Sequence, residues 1–492
     1  MAAFCLPSQD LKQFEKKVTE FTLTNGMHFI VAERHEAPVV SFHTYVNAGS
    51  VDDPSGETGI AHMFEHMAFK GTETIGTSDW PNEKKALDAI EEVYDRLEAE
   101  RNKGPKADQS RVGVLQAQLK MAIDGAEAYV VPNDYMRIIE TNGGAGVNAG
   151  TSLDSTEYYY SLPSNRIELW FLMESQRFLH PVFREFYKER DVVLEEHRMR
   201  VESDPQGKLT QDLLATAFAA HPYRNPPGGW PSDIVNLRRA QAKEFFDKYY
   251  VPANITMAIV GDVNPAEAKR MAERYFNPLP ARPLPPRLHT EEPPQPGPKT
   301  AVVDSPTQPI AAIAYKRPDQ YAKDDPVFDV MSLILSSGRT GLLYKELVQE
   351  KKIALVAQAA ATYPDGHYPS LFVFFLVPSV GHSVEEDVRA LDDLLARFKA
   401  RKVDSETLAR VKTKARAGVI RRLDNNAGLA QMLATYSASY GDWRKLFTSI
   451  DDLNQVTADD VQRVARQYFV LPSRTVAYLA PPAAPAAAGG RP

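Results

Sequence analysis

Residues 59–72 contain two histidines and a glutamate at intervals that would let them activate water on a metal ion. They read Gly-Ile-Ala-His-Met-Phe-Glu-His-Met-Ala-Phe-Lys-Gly-Thr, which predicts one short helix carrying His62, Glu65 and His66. Histidines four residues apart lie about 40° apart around a helix, so both imidazoles can reach one ion. Glu65 could contact a water on that ion without binding the ion itself. This H-x-x-E-H spacing is typical of hydrolysis by zinc-activated water, with the glutamate as base.

A third metal ligand is expected, because catalytic zinc usually takes three protein side chains and one water. The best candidate lies in residues 188–200, which read Lys-Glu-Arg-Asp-Val-Val-Leu-Glu-Glu-His-Arg-Met-Arg and predict a helix. Helical spacing places Glu196 on an inner stripe with Glu189, Val192, Val193 and Met199, and Glu195 on the solvent side with Lys188, Asp191 and Arg198.

These faces give the neighbouring side chains different roles. We predict that Glu196 is the third ligand, because a carboxylate on an apolar stripe is costly to bury unless a positive charge meets it. Glu189 lies two turns earlier on the same face and is predicted to orient a histidine. His197 remains a rival third ligand, although its direction fits the inner face less well.

The rest of the chain divides into two halves. The chain has 492 residues, too many for one hydrophobic core. Residues 278–298 form a proline-rich, extended connector between a first domain at 15–277 and a second at 299–480. The low-complexity segment 481–492 is predicted to be a disordered tail.

Both halves close on a similar pattern. Tyr249 begins Tyr-Tyr-Val-Pro-Ala-Asn-Ile-Thr-Met-Ala-Ile-Val, and Tyr468 begins Tyr-Phe-Val-Leu-Pro-Ser-Arg-Thr-Val-Ala-Tyr-Leu. A helix followed by a strand in each case indicates duplication of one unit, with chance similarity as the alternative. With a hairpin at residues 21–31 and a strand at 39–46, we predict an α+β fold of two homologous sandwich halves.

Residues 83–130 differ from their surroundings. They contain two charged, amphipathic helical patterns, at 83–100 and 111–129, and we interpret them as an inserted helical hairpin. The hairpin is either a solvated structural projection or a lid over the site. Because its two apolar stripes can cover each other, we expect the protein to fold without it.

Composition excludes several function classes. A net charge of −7 and a pI near 5.9 give no electrostatic case for nucleic acid or an anionic membrane surface. One cysteine rules out an internal disulfide framework, and no run of apolar residues is long enough to span a membrane. The amino terminus is too short for a secretion signal, so we expect a cytoplasmic protein, or a periplasmic one if a signal was removed.

These motifs resemble the insulinase/pitrilysin family of inverzincin metallopeptidases, which includes the mitochondrial processing peptidase and its bacterial relatives. The resemblance rests on the predicted zinc helix, the Phe-Lys-Gly-Thr after it, and the Glu-Arg-Asp-Val-Val-Leu-Glu-Glu that begins at Glu189, and it spans residues 19–479. It implies an endopeptidase for short unfolded peptides, with one zinc ion per chain, in the first half. Shorter members place the glutamate ligand nearer the zinc helix, and the 83–130 insert accounts for the difference.

A second resemblance lies at residues 143–160, Gly-Gly-Ala-Gly-Val-Asn-Ala-Gly-Thr-Ser-Leu-Asp-Ser-Thr-Glu-Tyr-Tyr-Tyr. In relatives, a Gly-Gly-x-x-Asn-Ala-x-Thr strand lies at a sheet edge and pairs with the substrate, which makes Asn148 and Ala149 candidate substrate-binding residues. Exposed backbone groups bind any extended peptide, so sequence selectivity would be loose. A plain glycine-containing edge strand is the alternative.

One expected element is missing. Many family members supply a transition-state donor from the second half through an arginine and a tyrosine seven residues apart, but Val348 and Leu355 stand at those positions here. Neither side chain can donate a hydrogen bond. We therefore expect a heterodimer with a homologous subunit that carries the pair, or a homodimer that uses another donor.

Two other functions remain open. The first is a non-catalytic scaffold, like the family's core subunits of respiratory complexes, although those have typically lost metal ligands that are present here. The second is a zinc hydrolase that acts on non-peptide substrates.

Overall fold

The strands of the chain form two sheets in a computed structural model that describes residue 12 and residues 14–480; the predicted tail at 481–492 lies outside the described residues. The strands are Val18–Thr22 (β1), His28–Glu33 (β2), Val39–Val46 (β3), Ala145–Thr151 (β4), Thr156–Pro163 (β5), Ile255–Gly261 (β6), Lys299–Asp304 (β7), Ala311–Arg317 (β8), Ala354–Tyr363 (β9), Ser370–Pro378 (β10) and Arg474–Ala480 (β11).

Helices surround both sheets. In the first half they are Ile60–Met67 (α1), Trp80–Arg101 (α2), Gln109–Glu127 (α3), Asp134–Thr141 (α4), Ile167–Leu179 (α5), Phe186–His197 (α6), Pro205–Ala217 (α7), Pro231–Ile234 (α8), Arg239–Tyr249 (α9) and Pro265–Phe276 (α10). In the second half they are Asp325–Ser336 (α11), Val384–Ala400 (α12), Ser405–Leu423 (α13), Asn426–Tyr440 (α14), Lys445–Gln455 (α15) and Ala458–Tyr468 (α16). No helix among the described residues is long and apolar enough to cross a membrane.

The two sheets repeat one topology. The first runs in the order β1-β2-β6-β3-β5-β4 and the second in the order β7-β11-β8-β10-β9. In each, a parallel pair (β2 with β6, β7 with β11) is followed by three antiparallel pairings. The predicted duplication and the α+β class are therefore confirmed, and β1 is an addition to the first half.

One helix of each half packs against the sheet of the other half. Helix α7 of the first half packs Leu209 and Leu213 against Ala312 and Val373 of the second sheet. Helix α14 of the second half covers β3 and β6 of the first sheet, where its Leu433 joins a shared apolar cluster. Because burying these faces requires both halves, we expect them to fold as one cooperative unit.

The predicted hairpin is formed by α2 and α3, but its base belongs to the main core. Leu87, Ile90 and Tyr94 of α2 lie in the large apolar cluster of the first half. Glu83 is fully buried and forms an ion pair of 2.7 Å with Arg184. The expectation that the two stripes only cover each other is therefore wrong for the base, because α2 is long enough to pack against both α3 and the core.

The hairpin tip is self-contained, and this predicts how much of it can be removed. Near the tip, Leu97, Val112 and Leu115 form a separate small cluster. Replacing residues 99–110 by a short Gly/Ser turn should shift the Tm by no more than about 2 °C. Removing residues 83–130 should prevent folding, because an unpaired buried Arg184 alone costs about 3–5 kcal/mol. Thermal unfolding of both variants checks this, and a folded protein without residues 83–130 would contradict it.

Candidate metal centre

Helix α1 presents the first two candidate ligands. It begins after Gly59, whose φ of 93° is left-handed, and a side chain there would collide with the carbonyl oxygen of Gly228. The half-buried carboxylate of Asp53 accepts the amide hydrogens of Gly59 and Ala61 at 2.7 and 3.0 Å, which caps the helix. The local sequence thus fixes both the start and the direction of α1.

His62, His66 and Glu196 come together between α1 and α6. One ligand atom from each lies within 4.8 Å of the others. The Oε2 atom of Glu196 is 3.7 Å from Nε2 of His62 and 3.4 Å from Nε2 of His66. Two imidazole nitrogens and a carboxylate oxygen form a donor set that catalytic zinc uses, with a fourth position open to water. Among the described residues, no other such group of possible metal ligands occurs.

Glu189 and Lys70 hold the second histidine in place. Oε1 of Glu189 lies 2.9 Å from Nδ1 of His66, so Nε2 is left to face Glu196. The other Glu189 oxygen lies 2.5 Å from the ammonium of Lys70. This arrangement agrees with the predicted orienting role of Glu189, and Lys70 balances its charge.

The pKa values of these groups follow from burial and from their close contacts. Burial and the neighbouring His66 lower the pKa of His62 to about 4. Burial also acts to lower the pKa of His66, but hydrogen bonds to Glu189 and Glu196 raise it to about 9. The hydrogen bond with His66 holds the pKa of Glu196 at about 2. For Glu189, burial opposes the effect of His66 and Lys70, yet its pKa falls to about 2. Both carboxylates are therefore ionised at neutral pH.

Glu65 lies on the same helix and is held by strand β4. Its Oε2 atom accepts a hydrogen bond of 2.7 Å from the hydroxyl of Thr151, the last residue of that strand. Burial raises the pKa of Glu65, which makes its carboxylate a stronger base, and the bond from Thr151 opposes this. One carboxylate oxygen of Glu65 therefore remains available for proton transfer.

The inner face of α6 is narrower than the sequence indicated. Val193 is buried, but Val192 and Met199 are 48% and 61% exposed, so their predicted inward orientation is wrong. The positions of the predicted stripe that do face inward are spaced four and three residues apart, at Glu189, Val193 and Glu196. Glu195 forms an ion pair of 3.1 Å with Arg198 at the surface, on the predicted solvent side.

Several contacting residues were not predicted from the sequence. His197, the rival third ligand, is buried but does not join the ligand group. Arg200 lies 2.6 Å from Oε1 of Glu196, a pairing that its spacing of four residues could have indicated. Thr151 and Lys70 stand in the quoted motifs, but only the folded chain shows what they contact.

Strand β4 forms one edge of the first sheet, beside the candidate metal ligands. It pairs only with β5, where Asn148 lies opposite Tyr159 and Ala149 opposite Tyr158. Ala149 and Thr151 share the face that looks toward α1, whereas Asn148 points to the other face. A groove runs along this edge, lined by Glu65, His66, Phe69, Met136 and Val147 among others.

The positions of the missing donor pair lie in the second half. Val348 packs against the core of that half, and Leu355, on edge strand β9, is 53% exposed. Neither residue offers a polar side-chain atom.

Family models match most of the chain. The model for the insulinase family, peptidase family M16, matches residues 29–89 and 118–228, and the model for the peptidase M16 inactive domain matches residues 236–415. The chain belongs to the insulinase family. The first model skips residues 90–117, which comprise the outer part of the α2–α3 hairpin. The base of the hairpin thus belongs to the family fold.

Similar proteins support the same assignment. The chain is 26% identical to the zinc protease PqqE of Helicobacter pylori over 481 residues, 96% of this chain and 95% of that protein. The crystal structure of a protease from Helicobacter pylori aligns with a TM-score of 0.78 at 25% identity and covers 94% of this chain and 100% of that one. A peptidase M16 inactive domain from Pseudomonas fluorescens shares the fold, with a TM-score of 0.74 at 16% identity over 95% and 98% of the two chains.

Proposed function

We propose that this insulinase-family protein is a zinc metalloendopeptidase. The observation that carries the proposal is the convergence of His62, His66 and Glu196, with Glu65 held beside them at a free strand edge. The zinc proteases among its relatives support the same chemistry. The presence of all four side chains argues against a non-catalytic scaffold.

The chain's own residues supply the proton transfers. Zinc, bound by His62, His66 and Glu196, would polarise the scissile carbonyl and lower the pKa of water. Glu65 accepts the proton of the attacking water at its carboxylate oxygen that is not hydrogen-bonded to Thr151. It then returns this proton to the leaving amide nitrogen. Thr151 keeps the carboxylate in the orientation that both transfers need.

The edge of β4 would bind the substrate. An extended peptide that pairs with residues 147–150 adds one strand to the sheet and lies along the groove beside Glu65. Because the contacts are made to the backbone, the substrate must be unfolded locally, and many sequences would be accepted. Side chains on the face of Ala149 would enter the groove, whose walls at Phe69, Met136 and Val147 are apolar.

We also propose that full activity needs a second chain of this family. The oxyanion formed during peptide hydrolysis requires a hydrogen-bond donor besides the metal, and Val348 and Leu355 cannot provide one. A homologous subunit that carries the arginine and tyrosine would complete the site without binding zinc itself. A homodimer that uses another donor is the alternative.

Cleavage of a quenched, unfolded peptide tests both proposals. We expect the zinc-loaded chain to cleave the peptide slowly, and a homologous chain that carries the pair to raise kcat by about 10²–10³-fold, the usual contribution of one oxyanion donor. Ester and non-peptide amide substrates in the same panel separate a peptidase from another hydrolase. Full activity from the single chain, with no gain on adding homologous chains, would contradict the need for a partner.

A further inference from the structure

Two equivalent turns meet at the junction between the halves. The first, residues 152–155, connects β4 to β5, and the second, residues 364–369, connects β9 to β10. In the repeated topology β9 and β10 correspond to β4 and β5, so the two turns occupy the same place in each half. Only the first turn is attached to a strand that contacts Glu65.

An aspartate carboxylate of each turn accepts hydrogen bonds from the backbone of the other turn. Oδ2 of Asp365 accepts the amide hydrogens of Leu153 and Asp154 at 2.7 and 3.3 Å. In return, Oδ2 of Asp154 accepts the amide hydrogens of Gly366 and His367 at 3.1 and 2.8 Å. Each half therefore holds a backbone turn of the other with one aspartate. Hydrogen bonds to a charged acceptor are about twice as strong as neutral ones.

The turn after β4 is held from two sides. On one side, the amide of Val51 donates a hydrogen bond of 2.9 Å to the carbonyl oxygen of Leu153. A side chain at Gly49 would collide with that oxygen. On the other side, Asp365 holds the amide of the same residue. Leu153 follows Thr151 by two residues, and Thr151 donates the hydrogen bond that orients Glu65. A loss of either contact would let the end of β4 move.

We propose that Asp365, in the half that carries no metal ligands, is a positioning residue for Glu65 and for the substrate-binding end of β4. It acts through the Leu153 amide and Thr151. The second half thus has a role within its own chain, separate from any donor that a partner supplies. This inference rests on the proposed peptidase function, because Glu65 must be the base for its position to matter.

The test combines turnover with an exchange measurement that needs no activity. Asp365→Ala should lower kcat by about tenfold, the effect of one hydrogen bond to a charged group. Zinc content should stay unchanged, and amide hydrogen exchange should rise in residues 145–155. Asp365→Asn keeps an oxygen acceptor and should restore kcat to within about threefold of the wild-type value. The mirror variant, Asp154→Ala, should raise exchange chiefly in residues 364–369.

A double-mutant cycle with Thr151→Val separates positioning from a general loss of stability. If Asp365 acts through Thr151, the two losses in kcat should be far from additive, whereas independent effects would add. Additive losses, or wild-type kcat in a folded Asp365→Ala protein, would overturn the proposal. If the wild-type chain cleaves no peptide with any partner, the peptidase proposal fails. Amide exchange tests the role of Asp365 separately: unchanged exchange in residues 145–155 of the Asp365→Ala protein would show that Asp365 does not hold this turn.

Discussion

Glu65→Gln is expected to abolish most peptide turnover while leaving zinc bound. A general base contributes about 10²–10⁴-fold to the rate, and glutamine has the same shape but cannot accept the proton from water. Zinc content should not change, because His62, His66 and Glu196 are the proposed ligands. Peptide cleavage and metal analysis of the same preparation measure both effects.

Thr151→Val is the matched control for this substitution. It removes the hydrogen bond of 2.7 Å to Glu65 but leaves the carboxylate, so its effect on kcat should be smaller. If Glu65→Gln lost its zinc, Glu65 would be a ligand rather than the base. If it retained full turnover, another residue would have to accept the proton.

Glu196→Gln should release zinc, and turnover should fall with it. The amide is a much weaker ligand than a carboxylate, and it leaves two histidines, fewer than the three ligands usual for catalytic zinc. Glu195→Gln is the control, because the Glu195 side chain is 58% exposed and makes only a surface ion pair with Arg198. Equilibrium dialysis with zinc, followed by a peptide assay, distinguishes the two variants.

Two outcomes would contradict the assignment of Glu196 as the third ligand. If Glu195→Gln also lost zinc, the two faces of α6 would be misassigned. If neither substitution affected zinc, the third ligand would lie elsewhere, and His197→Ala would be the next variant to measure.

The two halves are joined more closely than their proline-rich connector suggests. Glu292 of the connector accepts amide hydrogens from Ala219, Ala220 and His221, so the connector is anchored to the turn after α7. Helices α7 and α14 also pack against the sheet of the opposite half, and the turns at Asp154 and Asp365 hold each other. We therefore do not expect the first half, expressed alone, to be an active enzyme. The apolar faces of both sheets would be exposed.

Local sequence patterns were sufficient to predict many of the secondary-structure elements and the candidate site residues. The spacing of His62, Glu65 and His66 determines that they share one helical region, because a helix repeats every 3.6 residues. The strand at residues 39–46 and the repeated ending at Tyr249 and Tyr468 likewise depend on short-range periodicity, and the structure confirms them as β3 and the α9–β6 and α16–β11 units.

Long-range contacts had to come from the tertiary structure. Whether Val192 and Met199 face inward depends on how much of α6 its neighbours cover, which periodicity cannot show, and both are exposed. The ion pair of Glu83 with Arg184 joins residues 101 positions apart, so the sequence alone did not indicate that the hairpin base is part of the core. The contacts of Thr151 with Glu65 and of Asp365 with Leu153 also join distant segments. The chemical types and helical spacing of the candidate site residues could thus be read from short segments. The contacts that hold them in position join segments far apart in the chain and follow only from tertiary packing, mostly within the first half.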